Sequence, residues 1–305
     1  MNALKSVLLA LLALFVVLAA VIYGYASDIK MHEQAEDPPV LSEKAKETPV
    51  SSDSDTVPRR ELSHSKIGWG TGNAVNELNQ TVDSISAQNK YSDLGAYFIF
   101  PEDDKVIYLT FDLGYENGYT GSILDTLAKS DVKATFFATQ EYINQAPLIV
   151  ERIILEGHTL ANHTVKHPSM PDVSDERERS EIMMLHNFVK EKYGYEMTLF
   201  RYPMGEFSEH SLELVNTLGY KSIFWSFAYR DWLTDAQPDP TAALNKINSA
   251  LHPGAIYLLH AVSSTNDAIL NEFINQTLAR GYRFKLIDER LGLVDSPAPL
   301  EDSII

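Results

Sequence analysis

From residue 106 onward, short apolar runs alternate with stretches whose apolar residues recur at helical spacing. The runs Val106–Phe111, Ala134–Ala138, Thr159–Ala161, Leu199–Phe200, Ser222–Phe227, Ala255–Leu259 and Arg283–Ile287 are rich in β-branched and aromatic residues. They read as strands buried on both faces. Between them Ser122–Lys129, Pro147–Leu155, Asp175–Lys192, Glu209–Leu218, Thr241–Leu251 and Asp267–Arg280 carry a helical period. Gly157, Gly194, Gly219 and Gly281 stand where these helices should stop, in the place of a left-handed cap. Such alternation implies a parallel sheet covered by helices. About seven repeats favour a closed or nearly closed barrel over an open doubly wound sheet. The expected fold is therefore α/β, a distorted (β/α)7–8 barrel of parallel strands with outer helices in a single catalytic domain. No Gly-x-Gly-x-x-Gly fingerprint, Walker loop or internal repeat is present.

The N-terminus follows a different pattern. Val7 to Ile22 is an unbroken apolar run behind Lys5, with no further charge until Asp28. Residues 1–27 are thus expected to be a signal peptide or a membrane anchor. The run falls between a cleaved signal and the roughly 20 apolar residues a spanning helix needs. Gly24-Tyr25-Ala26 offers a small-x-small site for cleavage after Ala26. Lys5 on the N-terminal side places the rest of the chain outside the cytoplasm, secreted or held at the cell membrane. Residues 28–65 are polar and proline-bearing, and are expected to form a disordered linker because they cannot bury enough apolar area to offset their ordering entropy. The folded domain is expected over 66–292, with a loose tail over 293–305.

Composition narrows the chemistry. A net charge of -17 argues against nucleic acid, whose binding needs a basic surface. The chain has no cysteine. That excludes a disulfide scaffold, a thiol nucleophile, a lipoprotein anchor and a thiolate metal site, so the ~230 residues after the linker must hold themselves by their own core.

Ionisable residues fall at the ends of the apolar runs: Asp112, His163 with His167, Arg201, Asp231 with Trp232, and His260. One such residue is an accident of where a strand meets water; several in this order suggest one pocket at the C-terminal ends of barrel strands, and hence an enzyme. His163 and His167 could present two imidazoles to one metal if ANHTVKH turns helically, although a lone His-x-x-x-His is more often a surface or capping pair. Asp112 reads either as a cap for the glycine-rich turn after it or as a general base kept basic by an apolar pocket. Arg201, held by Pro203 and Gly205, could clamp a carboxylate bidentately, and the same turn would aim the Met204 amide as an oxyanion donor. His260 is either a satisfied core histidine or a general acid tuned by Asp231. The aromatics Trp225, Trp232, Tyr115 and Tyr229 read first as ordinary core, their commoner role; of them Trp232, adjacent to Asp231, and Tyr115 are the candidate substrate contacts.

The segments TFDLGYENG, HTVKH, RYPMG, RDW and YLLH resemble, in order and spacing, the five motifs of the polysaccharide deacetylases, the family 4 carbohydrate esterases with the nodulation-protein-B homology domain. The resemblance spans roughly Ile107 to Leu291. The longer strings around these motifs, HPGAIYLLH among them, are most similar to the delta-lactam-biosynthetic de-N-acetylases, which act on N-acetylmuramic acid residues of peptidoglycan. The resemblance implies metal-assisted N-deacetylation, with Asp112 as base, His163 and His167 as ligands of a divalent metal such as zinc, Arg201 holding Asp112, and His260 as acid tuned by Asp231. Three positions depart from the pattern: Leu113 replaces the usual third metal ligand, and Ala228 and Ala261 replace aspartates. The expected partner is peptidoglycan or a related amino-sugar polysaccharide, with membrane contact through the N-terminal segment. The alternatives are a deacetylase of chitin-like or other acetylated polysaccharide, and a non-catalytic glycan-binding relative.

Overall fold

The computed structural model describes residues 61–293. The expected export segment, most of the linker and the tail from residue 294 lie outside the described residues. Among the described residues no helix is long and apolar enough to cross a membrane.

The strands are β1 (Ile67–Gly68), β2 (Ala96–Tyr97), β3 (Val106–Leu113), β4 (Thr135–Ala138), β5 (Thr159–Asn162), β6 (Leu199–Phe200), β7 (Glu206–Phe207), β8 (Lys221–Ile223), β9 (Phe227–Ala228), β10 (Ala255–His260) and β11 (Arg283–Phe284). The helices are α1 (Val82–Tyr91), α2 (Thr120–Lys129), α3 (Gln140–Gln145), α4 (Pro147–Leu155), α5 (Asp175–Tyr193), α6 (Glu209–Thr217), α7 (Pro240–Ser249), α8 (Ser264–Ala279) and α9 (Ile287–Leu291). A nine-stranded parallel sheet runs β2-β8-β6-β5-β4-β3-β10-β9, with β11 added beside β3. Its end strands β2 and β9 do not pair with each other. The expected barrel is therefore an open, curled half-barrel with helices around it.

β3 explains the centre of this sheet. Its sequence VIYLTFDL is buried at every position, as a strand flanked by β4 and β10 and covered on both faces must be. The parallel register pairs His260 with Asp112 on adjacent strands, and Asn162 with Phe200. The C-terminal ends of β3, β5, β6 and β10 therefore share one rim. Around it, α5 shows why the helices hold their places. Ser174 caps its N-terminus by accepting from the Arg177 amide, acidic residues fill its first turn, and Gly194 at φ 64° ends it.

Two expected strands are shorter than the apolar pattern suggested. Ser222–Phe227 is divided into β8 and β9, because the carbonyls of Ile223 and Phe224 are taken by the Arg201 guanidinium instead of a strand partner. Arg283–Ile287 ends at Phe284, and Ile287 opens α9. Ser63 and His64, assigned by composition to the linker, lie against α6: the His210 amide donates to the Ser63 carbonyl at 3.1 Å, and the His64 and His210 rings stack at 3.9 Å.

Candidate active site

Asp112 and Arg201 form the floor of the site. Arg201 is fully buried, and its Nη1 donates to Asp112 Oδ1 at 2.7 Å and to Thr110 Oγ1 at 2.8 Å. Its Nε and Nη2 donate to the carbonyls of Ile223 and Phe224, and its guanidinium lies 4.0 Å from the Phe137 ring centre. The expected bidentate clamp is not formed, because Nη2 is already committed to the Phe224 carbonyl. The expectation of a base kept basic by apolar walls is also corrected. Burial does push the Asp112 carboxyl upward, but the Arg201 guanidinium above all, with smaller contributions from the neighbouring His163 and His260 imidazoles, outweighs it and holds the group below its ordinary range. Asp112 is consequently an ionised carboxylate at neutral pH.

His163 and His167 do come together, with ring centres 4.8 Å apart, but no helix presents them. Thr164 and His167 adopt left-handed backbone angles, φ 72° and 55°, which fold the segment into a tight turn. Side chains other than the two imidazoles hold this turn. The Thr164 amide donates to Asn162 Oδ1, the His167 amide to Thr164 Oγ1, and the Lys166 amide to Glu181 Oε2. His163 Nδ1 lies 2.9 Å from the Arg201 carbonyl, which fixes the proton on Nδ1 and leaves Nε2 a lone pair, 3.6 Å from Asp112 Oδ2. Burial lowers the His163 imidazole to about 4, and lowers that of His167 as well. Both rings are therefore neutral and able to ligate a cation at neutral pH.

The donor set fits a metal at those two imidazoles. A third side-chain donor is missing: among the described residues no cluster of three or more His, Cys, Asp or Glu could hold an ion. Leu113 is buried in the apolar core.

His260 faces this group from β10. Its Nδ1–H donates to Asp231 Oδ1 at 2.7 Å, and its backbone amide donates to Oδ2 at 2.8 Å. Asp231 is fully buried, and Asn266 Nδ2 donates to its Oδ2 at 2.6 Å. The Asn266 Oδ1 accepts in turn from the Tyr229 hydroxyl. Thus Tyr229 is more than core: it belongs to the chain that orients the acid. Burial opposes protonation of His260, but Asp231 and, more weakly, Asp112 overcome it, and the imidazole is held above its ordinary value. Asn266 lies on α8, far from any motif, and only its spatial position reveals it.

These groups open onto one cavity of about 520 Å³. Asp112, His163, His167 and His260 line it together with Tyr115, Met204, Trp225, Ala228 and Trp232. Arg201 and Asp231 stand behind Asp112 and His260. Tyr115, Met204 and Trp232 are exposed at the mouth, and the Trp232 ring lies 5.5 Å from that of His260. The expected turn is present: Met204 and Gly205 take φ 59° and 68°, and a Cβ at Gly205 would meet the Trp225 ring at 2.7 Å. An ionised carboxylate and an imidazole whose proton affinity is raised by Asp231, on adjacent strands and facing one cavity, form a base and acid suited to splitting an amide.

Residues 101–223 match the sequence profile of the polysaccharide deacetylase family. The chain is 42% identical over 230 residues to an uncharacterised 30.6 kDa protein of Geobacillus stearothermophilus, covering 75% of this chain and 86% of that one. It is 37% identical over 225 residues to the peptidoglycan-N-acetylmuramic acid deacetylase PdaA of Bacillus subtilis (strain 168), covering 73% and 85%. The solved structure of Bacillus subtilis PdaA, a family 4 carbohydrate esterase, superposes with a TM-score of 0.71 at 34% identity, over 76% of this chain and 99% of that one.

Proposed function

The chain belongs to the polysaccharide deacetylase family, and from that premise we propose that it hydrolyses the N-acetyl amide of N-acetylmuramic acid residues in peptidoglycan. The observation that carries the residue assignment is the pairing of Asp112 with Arg201 and of His260 with Asp231 across one cavity. Asp112 accepts a proton from the attacking water. Its depressed pKa keeps it ionised, and Arg201 keeps it oriented. The Met204 amide, in the turn after Arg201, stabilises the oxyanion that develops on the acetyl oxygen. His260 then donates its proton to the departing sugar nitrogen, and Asp231 holds the imidazolium that makes this possible. Tyr115 and Trp232 flank the sugar at the mouth. A divalent metal would be held by His163 and His167 and would supply positive charge to the water and the acetyl oxygen. The amine set free on a muramic acid residue lies beside that sugar's own lactyl carboxylate, so an amide-forming cyclisation to a lactam can follow. Export by the apolar run Val7 to Ile22 belongs to the same reading, because the substrate lies outside the membrane. The test is acetate release from purified peptidoglycan compared with chitooligosaccharides. Release from peptidoglycan alone supports the proposal; release from chitooligosaccharides alone moves the substrate to chitin-like glycans.

A further inference from the structure

Trp69 lies upstream of the residues that match the family profile, yet it touches two walls of the cavity. Its backbone amide donates to the Gly205 carbonyl at 2.9 Å, next to the β1–β7 pairing that sets Ile67 against Phe207 and Gly68 against Glu206. Its indole N–H donates to the Trp225 carbonyl, also at 2.9 Å. The ring packs edge-on to Phe98 at 4.6 Å, and Phe98 stacks on Phe224 at 4.3 Å. Trp69 itself does not line the cavity, whereas Met204, Gly205 and Trp225 do. The segment before it is also fastened: Lys66 Nζ lies 2.6 Å from Asp172 and 3.5 Å from Glu206.

Two features make this clamp more than ordinary packing. Met204 and Gly205 both hold left-handed backbone angles, a conformation that a non-glycine residue keeps only where its surroundings enforce it. The Gly205 and Trp225 positions are interlocked, since no side-chain atom fits between the Gly205 Cα and the Trp225 ring. One residue that bonds the backbone of both therefore fixes their spacing. Phe224, next to Trp225 in the chain, receives Arg201 Nη2 on its carbonyl, and the Arg201 guanidinium lies 5.8 Å from the Trp225 ring centre.

We propose that Trp69 is a positioning residue: it clamps the Met204–Gly205 turn to Trp225, and the N-terminal strap that carries it is a working part of the active site. The proposal deepens the deacetylase reading and rests on it for the kinetic consequence. The oxyanion forms only on the way to the transition state, so a displaced Met204 amide lowers kcat and leaves KM nearly unchanged.

The test uses the full-length chain and its Trp69→Phe and Trp69→Ala variants, measured for acetate release from peptidoglycan and for amide hydrogen exchange. Trp69→Phe keeps an aromatic ring against Phe98 but loses the indole N–H. It should lower kcat by about tenfold, with Trp69→Ala falling further. In both variants exchange should rise in the peptides covering 202–207 and 225–227 and stay unchanged in β3 and β4. Wild-type kcat with unchanged exchange in Trp69→Phe overturns the proposal. So does a loss of kcat with exchange raised across β3 and β4, which marks general loosening. If the wild type releases no acetate, the deacetylase reading fails, and the exchange pattern alone still decides whether Trp69 holds the turn.

Discussion

Asp112→Asn tests the floor of the site twice, through stability and through chemistry. The substitution keeps the shape and an oxygen facing Arg201 but removes the counter-charge of a guanidinium with no solvent exposure. Two unit charges 2.7 Å apart attract by about 6 kcal/mol at an effective dielectric constant of about 20. The hydrogen bonds to Thr110, Ile223 and Phe224 survive, so the net loss should sit near the ~3–5 kcal/mol typical of breaking a buried pair. For a domain of this size that corresponds to a fall in Tm of roughly 6–20 °C. The variant should still fold, because domains are stable by about 5–15 kcal/mol. Acetate release should drop by ~10²–10⁴-fold, the cost of losing a positioned base. A companion Asp112→Asn/Arg201→Met variant removes the stranded charge but leaves the Ile223 and Phe224 carbonyls without their donor, so it should regain at most part of the lost Tm, without regaining activity. Thermal melts of the three proteins, with acetate release on the same samples, make the comparison. If Asp112→Asn melts with wild type, the carbonyls of Ile223 and Phe224 suffice to hold Arg201, and the ion-pair argument is refuted.

Asp231→Asn removes the charge that raises the His260 pKa, so the basic limb of the pH–rate profile should move to lower pH; an unmoved limb would mean that another group is the acid. His260→Ala should lower kcat more than it changes KM, since the acid acts only as the C–N bond breaks. Zinc titration by calorimetry should show binding weaker than at a site with three protein ligands, abolished in His163→Ala; binding that survives His163→Ala would place the ion elsewhere. His158 and His252 are buried away from the cavity and held down at about 4, so below about pH 6.5 the unfolded chain takes up their protons first. Stability present at neutral pH should therefore be lost as pH falls from about 6.5 toward 4, by up to ~3 kcal/mol per imidazole; urea unfolding at both pH values measures it.

The strand ends are legible in the sequence because each of these residues directly succeeds a run of buried apolar positions. Asp112 and His260 stand out in the linear pattern alone, and their pairing across β3 and β10 agrees with the parallel register that alternating strands and helices imply. The linear pattern does not carry the identity of long-range partners. Arg201 reads as a carboxylate clamp from its turn, yet its single bond to Asp112 results from two carbonyls, on β8 and the residue after it, that no motif marks. The histidine pair reads as helical because i and i+4 adjoin on a helix; here Asn162 and Glu181 hold a left-handed turn that achieves the same approach. Polar α1, VDSISAQNKY, carries too weak an apolar stripe to announce itself. Trp69 and Asn266 lie outside every motif, and only their contacts reveal them.

In the proposed reaction this cavity removes the acetyl group from muramic acid residues with Asp112 as base. Mass spectrometry of muropeptides, after purified peptidoglycan is incubated with wild type and with Asp112→Asn in parallel, tests it most directly. Muramic acid residues lacking acetyl are expected in the wild-type digest, with glucosamine residues left intact, and neither should be altered by Asp112→Asn. Deacetylated glucosamine with intact muramic acid, or equal conversion by the two proteins, would contradict it.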